Sequence, residues 1–264
     1  MMTALHGLRM SGSPPCAQGW DDPVGAGRSA AGRKPDFAIR RSSAGPEEAD
    51  GAGGPLLLRE WKPHRRPAEG RDAAVAHRTV IALGNFDGVH RGHQLLLAEV
   101  RRWARALGAQ PAVMTPEPHP RAVLGGGGKE AFRLTTLRDK YRLLGREGIA
   151  VIFAPRFDRA FAGLTAEDFV EDVLLRGWRA CHVVVGEDFR FGHRRQGDTD
   201  LLARLLCRRG VGLSVVPMLH HAGCAVSSRL IRQMIRAGDL GAAADLLGRA
   251  WEVSARISPS PAAG

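Results

Sequence analysis

The chain has 264 residues, 38 Lys and Arg against 27 Asp and Glu, and a formal net charge of +11; this length suits one full α/β domain with room for a small second one. It carries no run of about eighteen apolar residues and no secretory h-region, which excludes a membrane span and a secretory signal and points to the cytoplasm, with no membrane partner. The positive charge is nearly all Arg, with only four Lys, and is scattered rather than striped, which favours a small polyanionic substrate over nucleic acid.

Residues 1–76 read as Gly, Ala, Pro, Ser and Arg with few apolar runs. Such a stretch buries too little surface to offset its ordering entropy, which predicts a disordered extension. Nine Asp and Glu against twelve Lys and Arg in residues 1–78 argue against an organelle signal, which is poor in acids. Within this stretch only Pro55–Trp61 has packing capacity, as an edge strand on the domain that follows.

From Thr79 onward, apolar runs alternate with helix-period segments. Val80–Leu83 reads as a strand. A helix from about Gly92 to Leu107 follows, with Leu96, Val100, Trp103 and Leu107 as its core stripe. Pro111–Thr115 is a second strand, with a long loop through Gly125–Gly128 after it. Thr136–Arg146 is a helix and Ile149–Phe153 a third strand. Thr165-x-x-Asp168 then opens a helix to Leu175 in capping-box fashion. His182–Val185 and Gly212–Val216 are the fourth and fifth strands, with a helix over about 199–208 between them. This alternation, with right-handed crossovers, means an α/β fold, a parallel sheet with helices on both faces. Ligands of such sheets sit beyond the carboxyl ends of the strands. Cys16, Cys181, Cys207 and Cys224 show no C-x-x-C and no His at ligand spacing, which argues against zinc and a disulfide framework. Cys181 reads as a small core residue.

The run Gly84-Asn85-Phe86-Asp87-Gly88-Val89-His90-Arg91-Gly92-His93 joins the first of these strands to its helix. A Gly-rich turn opening a helix offers free N–H groups and the positive end of a dipole, which is a phosphate site. His90 and His93, three apart, fall on one helix face and can both reach one phosphoryl group, as phosphoryl or nucleotidyl transfer requires. Neither G-x-x-x-x-G-K-[ST] nor G-x-G-x-x-G is present; the H-x-G-H signature of nucleotidyltransferases is. Pro116-Glu117-Pro118-His119-Pro120, after the second strand, is a stiff loop suited to a pocket wall. Gly186-Glu187-Asp188-Phe189-Arg190-Phe191-Gly192, after the fourth, either covers a flat ring system or tucks its two Phe into the core. Val226-Ser227-Ser228-Arg229-Leu230-Ile231-Arg232 opens the last helix, with Ser in the commonest N-cap role and Arg232 one turn in.

Taken in order, G-N-F-D-G-V-H-x-G-H, E-P-H-P, G-E-D-F-R-F-G, V-S-S-x-x-I-R and A-A-D-L-L-G-R resemble the FMN adenylyltransferase (FAD synthetase) module of the bacterial bifunctional riboflavin kinase/FAD synthetase family. The resemblance spans about residues 79–250. It implies a Rossmann-like nucleotidyltransferase domain over 77–250 that transfers AMP from ATP to FMN, with Mg²⁺, giving FAD and pyrophosphate. It also implies roles for residues. His90 and His93 would stabilise the transferring phosphoryl group, and Ser227, Ser228 and Arg232 would hold the β- and γ-phosphates. Gly84, Asn85, Phe86, Asp87, Gly88 and Gly186 would back the nucleotide. Pro118, His119, Pro120, Asp188, Phe189 and Phe191 would form the flavin side. Pro116 stands where the family has Phe, and Arg229 where it has Thr. The family continues into a riboflavin kinase barrel, and residues 251–264 read as a truncated tail in which Trp251–Ile257 would be that barrel's first strand. Two rival readings are a homologue that binds nucleotide or flavin without turnover, and a nucleotidyltransferase for another phosphate acceptor.

Overall fold

In a computed structural model, residues 54–59, 78–124 and 133–253 are described. The Gly125–Gly128 loop, most of the expected extension and the tail beyond Val253 lie outside them. The apolar run after Arg78 is the centre of a sheet. This strand (β2, Thr79–Leu83) is buried at all five positions, because both of its faces are covered, and so it reads as a continuous apolar run. The other strands are β1 (Leu56–Leu58), β3 (Gln110–Met114), β4 (Val151–Phe153), β5 (Ala180–Gly186) and β6 (Gly212–Val216). They pair in the order β1-β4-β3-β2-β5-β6, every pair parallel. The chain builds outward from β2 through β3 to β4, then crosses to the other side of β2 as β5. That reversal marks the place where such sheets bind ligands.

Side chains alternate between two cores. Val80 and Ala82 of β2, with Val113, Ile152 and Val184, meet α1 (Arg91–Leu107) and α3 (Leu137–Arg146) on one face. Ile81 and Leu83, with Met114, Phe153 and Val185, meet the other face's helices. These are α4 (Arg159–Ala162), α5 (Ala166–Asp168), a π-helix continuing it over Phe169–Gly177, and α6 (Thr199–Cys207). A helix was expected through Leu175; its π winding was not, because six of its nine positions are buried and leave no single stripe to read. On α1 the fully buried stripe is Leu97, Val100 and Ala104, while Leu96, Trp103 and Leu107 pack at its flanks. Cys181 is 3 % exposed in the same core.

β1 corrects the expected boundary at residue 77. Three successive leucines extend the sheet beyond β4, Leu56 N–H donating to the Ala150 carbonyl at 2.8 Å and Ala154 N–H to that of Leu58 at 2.8 Å. Leu58 is fully buried, and the Tyr141 hydroxyl donates to the Pro55 carbonyl at 2.6 Å. The edge strand therefore belongs to the domain. A third, smaller core gathers Leu134, Val226, Ile231, Ala243, Leu246 and Leu247. It joins α7 (Ser228–Arg236) to α8 (Leu240–Leu247), the helix carrying the A-A-D-L-L-G-R run. A two-stranded ribbon, β7 (His220–His221) with β8 (Cys224–Ala225), precedes α7. Trp251 packs against this core and donates from Nε1 to the Leu134 carbonyl at 3.2 Å. Among the described residues no helix is long and apolar enough to cross a membrane.

Candidate active site

The turn after β2 takes a conformation that residues other than Gly seldom adopt. Phe86 (φ 47°), Gly88 (φ 82°) and Val89 (φ 41°) all lie in the left-handed region, which costs an L-residue about 1–2 kcal/mol. The surroundings hold it there. The Gly88 N–H donates to Thr135 Oγ1 at 3.0 Å, and Arg249 Nη2 donates to the Gly88 carbonyl at 2.8 Å. Gln94 Nε2 donates to the Val89 carbonyl at 3.0 Å and Ser228 Oγ to that of Asp87 at 2.9 Å. Thr115 Oγ1 donates to the carbonyl of the exposed Asn85 at 2.9 Å. Phe86 is fully buried, its ring 5.0 Å from that of His93. Its side chain is part of the core, which residue type alone could not reveal. Gly84 gives that ring room, since a Cβ there would stand 3.1 Å from it.

Asp87 is 5 % exposed and uses its carboxylate inside the protein. Oδ1 accepts the N–H groups of Leu134 and Thr135 at 3.0 and 3.1 Å, and Oδ2 accepts Arg232 Nη1 at 2.6 Å. The carboxylate thus holds Arg232, from α7, against the turn. Ser227 caps α7, accepting the Leu230 N–H at 3.3 Å, so its own proton stays available to an anion. Ser228 has given its only proton to the Asp87 carbonyl. It therefore meets a phosphate as a donor only after breaking that bond. Arg229 is exposed beside it, and Pro116 is half-buried.

His90 is the N-cap of α1, its Nδ1 accepting the His93 N–H at 3.3 Å. This fixes the neutral tautomer, with the proton on Nε2. The His90 and His93 rings stack at 3.6 Å and 17°. Gly92 permits the approach, since a Cβ there would lie 3.2 Å from the His90 ring. Burial lowers His90 to about 4, against the pull of Asp87. Burial, with His90 and Lys140 nearby, holds His93 well below the ordinary histidine range. Both rings are thus uncharged donors at neutral pH. His93 Nδ1 is buried without a partner.

Pro118 is exposed and His119 and Pro120 half-buried at the start of α2 (Pro120–Leu124). His119 Nδ1 accepts the Arg121 N–H at 3.1 Å, which again leaves the proton on Nε2. Burial lowers His119, Asp87 opposes, and Lys140 and Arg133 add to the lowering. Asp87 thus acts on both His90 and His119, and Lys140 on both His93 and His119.

The sequence reading missed the charges under this wall. Lys140, 4 % exposed, donates to Glu117 Oε1 at 2.8 Å and to Thr115 Oγ1 at 3.0 Å. Arg133 Nη1 reaches Glu117 Oε2 at 2.7 Å. Burial pushes Glu117 up, but Lys140 and Arg133 outweigh it and keep the carboxyl below its usual value. The available signal was a lysine on the apolar stripe of α3, one turn before the buried Leu144.

The loop after β5 behaves differently. Phe191 is 6 % exposed in the core, 5.5 Å from the Phe169 ring, and Phe189 stacks on it at 5.6 Å and 13°. The Phe191 ring is taken up by the α5 and α6 side of the sheet, the second of the two arrangements open to this loop. Asp188 is exposed, its Oδ1 near Gly186, where a Cβ would lie 3.2 Å from it. Among the five mapped motifs, His90, His93, His119, Asp87, Arg232, Ser227 and Ser228 are brought together; the two Phe are not.

The family model described as FAD synthetase matches residues 72–230. The bifunctional riboflavin kinase/FMN adenylyltransferase of Escherichia coli (strain K12) is 38 % identical over 178 residues, 67 % of this chain and 56 % of that protein. Its namesake from Pseudomonas fluorescens is 36 % identical over 182 residues, 69 % of this chain and 58 % of that protein. The crystal structure of a macrolide-efflux protein from Streptococcus pneumoniae superposes with a TM-score of 0.60 at 28 % identity, covering 66 % of this chain and 56 % of that one. The chain thus spans a little over half the length of the curated relatives it matches.

Proposed function

The chain belongs to the FAD synthetase family, and on that premise we propose that it joins FMN to ATP, transferring AMP to the flavin phosphate with release of pyrophosphate. ATP and FMN are then its small-molecule partners, FAD its product and the cytoplasm its setting. The observation that carries this reading is the stacked, uncharged His90–His93 pair beside an Arg232 held by Asp87. An oxygen of the FMN phosphate attacks the α-phosphorus of ATP, and the bond to the β-phosphate oxygen breaks.

Neutral imidazoles suit that step. A ring with its proton on Nε2 donates to a non-bridging oxygen and strengthens that bond as charge spreads, with no proton lost. Desolvation makes such donors worth more than in water. Arg232, oriented by Asp87, supplies fixed positive charge on the pyrophosphate side, and the Ser227 hydroxyl proton is a second donor there. His119 and the Pro118–Pro120 segment form the flavin wall. A resident metal is not what these residues fit: among the described residues no three His, Cys, Asp or Glu side chains gather for one. Asp87 and Glu117 already bind Arg232 and Lys140. A Mg²⁺ carried in by the ATP phosphates fits, with few protein ligands, and when bound it would neutralise charge on the leaving pyrophosphate.

Incubating the 264-residue protein with FMN and α-labelled ATP tests this. Labelled FAD and unlabelled pyrophosphate are expected in equal amounts. Absence of FAD with intact ATP and FMN binding would mean a protein that binds without turnover.

A further inference from the structure

A buried ammonium that no step above uses lies beneath the flavin wall. Lysine has three N–H donors, and Lys140 gives two of them to the end of β3 and the residues after it, Thr115 Oγ1 and Glu117 Oε1. Thr115 passes its own proton to the Asn85 carbonyl. Glu117 directly precedes Pro118, and its second oxygen is held by Arg133. The residues after Arg133, Leu134 and Thr135, give their N–H groups to Asp87 and so belong to the Arg232 side. Two polar arms therefore meet at Arg133. One ends on the Pro118–Pro120 wall, the other on Arg232.

A buried ion pair is a weak source of net stability, since well-packed apolar residues often do as well. What this one supplies is direction. With Lys140 fixed on α3, Glu117 is held at one distance from β3 and from α3, and the backbone that follows it inherits that placement. Building on the reading of this site as one that joins FMN to ATP, we propose that Lys140 is a positioning residue for the flavin. Acting through Glu117, it sets the Pro118-His119-Pro120 wall, while the ATP phosphates are held by the Asp87–Arg232 arm.

The experiment uses the full 264-residue chain and two variants, Lys140→Met and Arg133→Gln. FMN affinity is read from quenching of flavin fluorescence without ATP, and KM for FMN and for ATP from FAD formation. Lys140→Met should raise both the FMN Kd and its KM about tenfold and leave the ATP KM within about twofold, a split that loss of stability alone does not produce. Arg133→Gln, which loosens the same carboxylate from its more exposed side, should show the same split at about threefold. If Lys140→Met fails to fold, Arg133→Gln decides by the same criterion. Equal shifts for FMN and ATP, or an unchanged FMN Kd in a folded variant, would overturn the proposal. If the parent chain itself forms no FAD, the functional reading fails; if it does and Lys140→Met binds FMN normally, only the positioning role fails.

Discussion

The loops after β2 and β5 hold matching places in the molecule and have opposite interiors. Their strands are hydrogen-bonded neighbours at the reversal point of the sheet, and both loops are bounded by glycine. The first turns its polar groups inward. Asp87, Thr135, Arg232, Ser228 and Arg249 bond to it or to one another, and two strained non-Gly residues stay in place. The second turns its rings inward, Phe191 onto Phe169, and leaves Asp188 and Arg190 in solvent. A loop that must keep its shape without a ligand uses its hydrogen-bonding groups on itself. A loop anchored by rings needs no such inward network, and its charges pair outward instead, Arg190 with Asp198 at 3.1 Å and Glu187 with the Met218 N–H at 3.1 Å.

The largest effect that would sharpen this contrast is expected at His93. His93→Ala removes one donor from the polar loop, and FAD formation should fall about 10²–10³-fold, while the lost ring stacking costs only about 1 kcal/mol. Steady-state FAD synthesis beside a thermal melt checks both. Near-parental turnover in a folded variant would remove His93 from the chemistry. Asp87→Asn comes next. It leaves Arg232 without its counter-charge and should cost about 3 kcal/mol, as breaking a buried pair does, together with a raised KM for ATP. Denaturant melts and initial rates would show whether the two losses go together. In the second loop, Phe191→Ala should also cost about 3–5 kcal/mol, as a buried Phe does. Here FMN affinity should stay unchanged in the folded protein. A weakened FMN Kd with unaltered stability would break the comparison and return Phe191 to the flavin side.

These contrasts explain what the sequence could tell. The H-x-G-H turn, the Thr165 cap and the β2 run are local patterns, each decided within a few residues by hydrogen bonding or burial. The edge strand expected within Pro55–Trp61 was legible for the same reason, since three successive leucines, Leu56–Leu58, carry it. The direction of a side chain is not local. Phe86 and Phe191 are aromatic residues in Gly-bounded loops, and nothing nearby shows that both rings are absorbed by the core. Asp87 reads as a site carboxylate until Arg232, 145 residues away, is seen to claim it. Lys140 and Glu117 are 23 residues apart and on different elements, so only the fold reveals their pairing.

Acid should separate the two strands' histidines. Burial lowers His90, after β2, and His182, within β5, each to about 4 from an ordinary 6.5. The unfolded chain takes up these protons near 6.5 and the folded chain only near 4. The stabilisation is therefore complete above 6.5 and is lost as pH falls toward 4, by roughly 3 kcal/mol for each group if the full shift is realised. His90→Asn, which keeps a good N-cap, and His182→Asn should each flatten the pH dependence of unfolding. Only His90→Asn should also impair FAD formation. Followed by its own NMR resonance in the parent chain, the His90 imidazole should titrate nearer 4 than 6.5, and titration at 6.5 would mean that His90 is charged in the free protein.

The smallest effect tests strain rather than charge. Arg194 and Arg195, just beyond the second loop, also lie in the left-handed region, at φ 51° and 60°, but both are exposed. Strain in the first loop is maintained by buried packing, with Val89 only 1 % exposed; at Arg194 no such burial is present. Arg194→Gly removes a penalty of about 1–2 kcal/mol and adds about 0.5–1 kcal/mol of backbone entropy to the unfolded chain. The net gain should be near 0.5 kcal/mol, with FAD formation unchanged. Val89→Gly relieves strain of the same kind but empties a buried position beside His90, and it should lose both stability and activity. Chemical denaturation of the two variants, with FAD synthesis measured alongside, decides the point. Loss of activity in Arg194→Gly would show that the second loop, too, is held in shape for a ligand.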